Sequence, residues 1–299
     1  MAKQASMKHK ERVMNTIIYI ILSVMSVLWI LPIIYIFYVS LRPEAGKAAV
    51  SSLTLQPGTS LTFKHYADLL WGSTSKTFPF VTWFFNTLII AICVTIINTL
   101  FVLSVSYTMS RLRFKSRKTL MSINLILGMF PGFMSMIAIY NIMKLVGLVN
   151  PSSAIYNPKL ALILCYSMSS GMGFYVAKGF FDTISRSLDE AARIDGATNA
   201  QVFFKIIIPL SKPIIVYTLI TAFMGPWMDY IFSAYIIDNS VKNFTVALGL
   251  WKFLADNYIG YHFTEFFAGS VMISIPIMAL FLATQKYYVE GVTGGAVKG

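Results

Sequence analysis

The sequence predicts an all-α integral membrane protein with six transmembrane helices, and three observations carry that prediction. Of its 299 residues, 57% are hydrophobic and only 12% are charged, whereas soluble domains carry about 25% charged residues. Uncharged runs cover 13–41, 77–110, 119–143, 160–177, 213–228 and 266–285, against the about 20 apolar residues a helix needs to cross the hydrocarbon core. Runs such as "IIYIILSVMSVLWILPIIYIF" lack the period-two alternation of a transmembrane barrel strand.

Each element follows from where charge is missing. The first run, 29 residues long, exceeds the h-region of a cleaved leader and has no A-x-A site after it, so it is expected to remain as an anchor. Runs four and five are the shortest, and the fifth can continue past Asp229 through "YIFSAYII" to Ile237. Cys93 and Cys165 both fall within apolar runs and form no disulfide or metal spacing.

Charge placement sets the orientation. Lys and Arg cluster in the opening segment, in "RLRFKSRK" between spans two and three, between spans four and five, and after span six. These segments hold sixteen of the twenty-four, which puts them and both termini on the cytoplasmic side. The expected layout is a cytoplasmic segment 1–12, a transmembrane domain 13–290 with a cytoplasmic loop at 181–212, and a cytoplasmic tail 291–299. Loops 42–76, 144–159 and roughly 238–265 fall outside. A net charge of +12 on so apolar a chain points to membrane lipid, not nucleic acid.

Several chemistries lack their residues. His9, His65 and His262 all lie outside the expected spans, and "SSGMG" (169–173) has no base beside it. No G-x-x-x-x-G-K-[ST] phosphate loop occurs, so the chain is read as a transport subunit, not an enzyme. A secondary carrier places ionisable groups in its spans, yet only Asp229 is near the membrane, where an outer helix end suits it better than a proton site. Backbone breakers recur at Pro131-Gly132, Gly171, Gly173 and Gly225-Pro226. They fit either kinks and close packing or a polar path flanked by spans three to five. On the second reading Tyr140, Asn141, Trp227, Asp229 and Tyr230 line that path.

One stretch stands apart. "SLDEAARIDGATNAQVFFKIIIPLSKP" (187–213) packs Asp189, Glu190, Arg193 and Asp195 into seven residues. Ser187 with Glu190 reads as a capping box, and Asp189 with Arg193 as an i,i+4 pair. Gly196 reads as a left-handed stop, Thr198 with Gln201 as a second capping box, and Pro209 as the end of the second helix. Val202, Phe203, Phe204, Ile206 and Ile207 are available for burial. Such a hairpin either rests on the membrane surface or docks a cytoplasmic partner. A membrane scaffold that only recruits a soluble protein would keep the hairpin but would not need breakers within its spans.

Glu190-Ala191-Ala192, then Gly196, then Ile206-Ile207-Ile208-Pro209, resembles the EAA loop of ABC-importer permeases, with Ile208 where the pattern has Leu. The layout and the tail "YYVEGVTGGAVKG" further resemble the smaller permease of the maltose/oligosaccharide type. The resemblance implies a type I importer fold in a prokaryotic cytoplasmic (inner) membrane. It implies four kinds of partner: a second, larger permease, two ATP-hydrolysing subunits that hold the ATP and Mg, an extracytoplasmic binding protein, and a carbohydrate. No cofactor belongs to this chain itself. Carried over residue by residue, Glu190 pairs with the ATPase, Ala191 and Ala192 permit close approach, and Gly196 sets the bend, with Arg193, Asp195, Phe204 and Pro209 completing the coupling loop. Gly294, Gly295 and Lys298 match a tail that reaches the ATPase subunits, and loop 238–262 faces the binding protein.

Overall fold

A computed structural model describes residues 2–43, 60–129, 132–168, 172–255 and 259–296. In chain order its helices are α1 (Ala2–Ser40), α2 (Lys64–Leu70), α3 (Ser73–Thr77), α4 (Phe80–Arg111), α5 (Arg117–Gly128), α6 (Gly132–Val146), α7 (Pro158–Met168) and α8 (Gly173–Thr183). There follow α9 (Arg186–Ile194), α10 (Asn199–Leu210), α11 (Lys212–Met228), α12 (Ile231–Ile236), α13 (Val246–Leu254) and α14 (Ile259–Ala296). No strand occurs among the described residues. Pro131, Gly171 and Lys298 lie outside them.

The all-helical fold agrees with the expectation, and the crossings are less regular than six straight rods. Lys10–Ser40, Phe80–Arg111, Pro158–Thr183 and Tyr261–Tyr287 are each long and apolar enough to cross alone. Two more crossings arise only if bent pairs count as one: α5 with α6, turned by 103°, and α10 with α11, turned by 85°. The fifth run does not continue to Ile237. Its helix ends at Met228, because Asp229 adopts an extended backbone (φ −85°, ψ 110°) and its carboxylate accepts the amides of Phe232 and Ser233 at the start of α12. The fourth crossing runs on to Thr183, so Lys178 and Asp182 belong to it and neutralise each other at 2.5 Å. His262 is likewise not clear of the sixth crossing: it forms a kink within α14 (φ −120°, ψ 19°).

The chain divides into two compact units. The first comprises residues 1–72 and 253–272. In it, Ser40 bridges the Phe37 carbonyl (2.6 Å) and the Tyr66 hydroxyl (2.7 Å). The ring of buried His65 contacts the Arg42 carbonyl at 2.7 Å and lies 4.0 Å from the Glu265 carboxylate. Burial pushes the Tyr66 phenol up. The apolar face of α1 is exposed along the helix from Val13 to Phe37.

The second unit, residues 73–252 and 273–299, is organised on α4, against which α7, α8 and α11 pack. Polar side chains hold it together where lipid offers no partners. Asn86 donates to the Lys242 and Phe244 carbonyls (2.8 and 3.0 Å) and Thr87 accepts the Val246 amide (2.8 Å). The Trp83 indole donates to the Val241 carbonyl at 2.7 Å. Segment 241–246 is thereby fastened to the start of α4. Nearby, burial and the Asp238 carboxylate push the Tyr156 phenol up to about 12. Deeper in, Asn98 donates to the Ser167 carbonyl (3.1 Å) at the end of α7, and Ser106 to the Phe174 carbonyl (3.0 Å) in α8.

Candidate coupling loop and solute path

The hairpin at 185–210 is built by local signals. Ser185, not Ser187, caps α9: its hydroxyl accepts the Ser187 amide at 3.3 Å. Ser187 is already the second residue of the helix and bonds the Ser185 hydroxyl instead (2.7 Å). Glu190, freed of a capping role, is exposed. Helix α9 closes in a paired C-cap, with Gly196 N–H to Arg193 O (3.0 Å) and Ala197 N–H to Ala192 O (2.9 Å). That geometry needs φ of +84° at Gly196, a region in which a Cβ is strained. Thr198 and Gln201 then form the expected reciprocal capping box (2.7 and 3.3 Å).

Two further expectations are corrected. Asp189 does not pair with Arg193. It is buried against Arg111 at 3.3 Å, while Arg193 donates to Asn199 across the turn (3.1 Å). A buried carboxylate gains more from a buried guanidinium than from a solvated one on its own helix. Nor does Pro209 end the second helix. A π turn over Phe203–Ile207 shifts the hydrogen-bond ladder by one residue, so Ile208 N–H bonds Phe203 O, and the helix continues to Leu210. A proline ring clashes with the carbonyl four residues earlier in a regular helix, and the wide turn relieves that clash.

Burial sorts the remaining loop residues. Val202, Phe203, Ile207 and Ala192 join Tyr107, Phe174 and Phe181 in one apolar core. Phe204 is 63% exposed, contrary to the expectation that it is buried, because the helical turn points it away from that core. Ala191, Arg193, Asp195 and Pro209 are exposed with Glu190. Between α9 and the link Leu112–Phe114 lies a cleft of about 650 Å³, walled by Arg111, Arg113, Arg186 and Arg193 with Asp189, Glu190 and Asn199. The sequence reading missed Arg111. It was legible only as one of five positive charges in "RLRFKSRK".

The expected path residues are placed separately. Tyr140 packs on Tyr235 (5.0 Å between rings), Asn141 donates to its own helix at Ile137 (2.9 Å), and Tyr230 lies against Trp251 (5.0 Å). Trp227 is buried between Phe84 and Phe223. Asp229 accepts the Tyr166 hydroxyl besides its capping bonds. A smaller hollow of about 190 Å³, which the sequence did not reveal, lies between α4, α8 and α11 and is lined by Asn98, Val102, Gly173, Tyr217, Thr218 and Thr221. Gly294 and Gly295 fall within the final turns of α14.

Among the described residues, helices long and apolar enough to cross a membrane, two of the crossings bent, thus accompany a capped loop of mixed charge. Residues 102–293 match the family described as the binding-protein-dependent transport system inner membrane component. The chain therefore belongs to that family of ABC-importer permeases and is a multi-pass inner-membrane component. It is 32% identical over 295 residues to the galactooligosaccharides transport system permease protein GanQ of Bacillus subtilis (strain 168), covering 99% of both chains. It is 34% identical over 225 residues to the maltodextrin transport system permease protein MdxG of the same organism, covering 74% of this chain and 76% of the relative. Among solved structures it superposes on a chain of a bacterial ABC transporter involved in the import of the acidic polysaccharide alginate. That match has a TM-score of 0.73 and 22% identity, covers 93% of this chain and 98% of the other, and supports the fold.

Proposed function

We propose that the chain forms half of the translocation path of an oligosaccharide importer, with 185–210 as its coupling element to a separate ATPase. The observation that carries this is the arrangement of that hairpin. It is capped at both starts, closed at Gly196 and rooted by Val202, Phe203 and Ile207, while Glu190 and Arg193 remain exposed at a basic cleft. A rooted helix transmits a push from a partner, whereas a slack loop absorbs it. Glu190 is the ion-pair partner for the ATPase, Ala191 permits its close approach, and Asp195, Phe204 and Pro209 add exposed surface to the same element.

The ATP and Mg belong to two partner subunits, since this sequence has no phosphate loop. A second permease and lipid cover the apolar surface of α1, and an extracytoplasmic binding protein delivers the solute. Both termini and the 185–210 hairpin face the cytoplasm, on the strength of the Lys and Arg distribution. The tail residues Gly294, Gly295 and Lys298 are assigned to contact with the ATPase pair, as the tail pattern of the sequence implies. A carbohydrate is the cargo that fits the names of the relatives. Unpartnered buried polar atoms at Thr99, Ser167 and Trp227 favour a wet interior, because such groups in hydrocarbon are costly. Trp227 and Asp229 thus remain path residues together with Tyr140, Asn141 and Tyr230.

The test is uptake into proteoliposomes holding the purified complex, with binding protein outside and ATP inside. Labelled maltodextrins, galacto-oligosaccharides, glycerol phosphate and amino acids are offered in turn. ATP-dependent accumulation of an oligosaccharide alone is expected, and accumulation of an amino acid or of glycerol phosphate overturns the cargo assignment.

A further inference from the structure

We infer that Arg111 is the positioning residue that sets the angle of the coupling helix, an inference that rests on the coupling role of 185–210. Arg111 is the last residue of α4 and is 8% exposed. One guanidinium nitrogen, Nη2, donates to the Phe181 and Ile184 carbonyls, both at 2.8 Å. The other, Nη1, lies 3.3 Å from the Asp189 carboxylate. The two carbonyls lie in the last turn and at the C-cap of α8, where the helix dipole is negative; that of Phe181 also accepts the Ile184 amide at 3.2 Å. Asp189 is in the first turn of α9. One planar cation therefore grips the end of one helix and the start of the next, across the turn that joins them.

Its neighbours on α4 extend the grip. Ser110 donates to Asp182 of α8 at 2.6 Å, and the Tyr107 hydroxyl donates to the Asn199 carbonyl at the start of α10 (3.0 Å). The cytoplasmic end of a single membrane helix is thus tied to α8, α9 and α10. Arginine suits this place because its fork is flat and stays charged. A lysine ammonium keeps the charge but offers no fixed geometry to bridge two carbonyls and a carboxylate. A tilt of α9 imposed by a partner is delivered through Arg111 to α4, the helix on which the second unit is built.

The test uses the full chain co-expressed with its partner permease and ATPase, with Cys93 and Cys165 changed to alanine. Spin labels on Ser104→Cys and Ile194→Cys report α4 to α9, and labels on Ser104→Cys and Thr183→Cys report α4 to α8. Without further change each pair gives one narrow distance. Asp189→Asn, which releases only the α9 arm, is expected to lose the narrow 104–194 distance and keep the 104–183 one. Arg111→Ala and Arg111→Lys are expected to lose both, and if the alanine variant does not accumulate, the lysine variant and Asp189→Asn decide. Narrow distances in Arg111→Lys, or equal broadening of both pairs in Asp189→Asn, overturn the positioning role, because charge alone or general loosening then suffices. The coupling role is tested separately, by ATPase recovery with Glu190→Lys. Unchanged recovery there overturns that role, whatever the distances.

Discussion

Asp189 and Glu190 are adjacent in sequence and opposite in environment. Asp189 is buried against Arg111, and Glu190 is exposed at the cleft. Asp189→Asn leaves a buried guanidinium without its counter-charge and is expected to cost about 3 kcal/mol of stability, measured by thermal unfolding in detergent. Glu190→Gln is expected to stay within about 0.5 kcal/mol of the parent while uptake by the complex falls. The sequence announced both carboxylates but could not rank them, because the partner that distinguishes them comes from position 111, far away in the chain. Gly196 was legible, since a left-handed stop depends only on its neighbours. Gly196→Ala forces a Cβ into φ of +84°, at about 1–2 kcal/mol, with no clash because nothing lies within 4 Å of that Cβ. An unchanged melting temperature for this variant contradicts the strained cap.

At the scale of elements, local rules succeeded where the cause was local. The Thr198–Gln201 capping box and the apolar root of α10 were readable from spacing. The π turn that carries the helix past Pro209, and the break at Asp229, were not, because each depends on the path the chain takes through its neighbours. The same limit hid the fastening of segment 241–246 to α4 by Trp83, Asn86 and Thr87. Asn86→Ala removes two of those bonds, and amide exchange in 241–246 is expected to accelerate while that in 185–210 stays as it was. Equal exchange in both segments before and after the change contradicts that anchoring. At the other end of the contact, Gly249 lies so close to Trp83 that an added Cβ runs into the ring. Gly249→Ala is therefore expected to destabilise by about 1–3 kcal/mol, as overpacking does, measured by thermal unfolding. A neutral result there contradicts the close approach.

At the scale of the whole molecule, the number of charge-free runs and the all-helical class were legible because hydrocarbon admits so few backbone solutions. The bends of 103° and 85° were not, since breakers signal only where a helix is open to interruption and not how far it turns. The sequence holds no phosphate loop, the apolar face of α1 is exposed from Val13 to Phe37, and the capped loop keeps Glu190 exposed at a basic cleft. The central claim is that this loop hands the work of a separate ATPase to the membrane helices. The most direct measurement is affinity purification of the tagged chain from membranes, as wild type and as Glu190→Lys, followed by ATP hydrolysis and oligosaccharide uptake in proteoliposomes. The account predicts that the wild type brings down a second permease and an ATPase and drives uptake, and that the variant inserts equally well but loses the ATPase and the uptake. Full uptake by Glu190→Lys, or a stable and active homodimer without an ATPase, would contradict it.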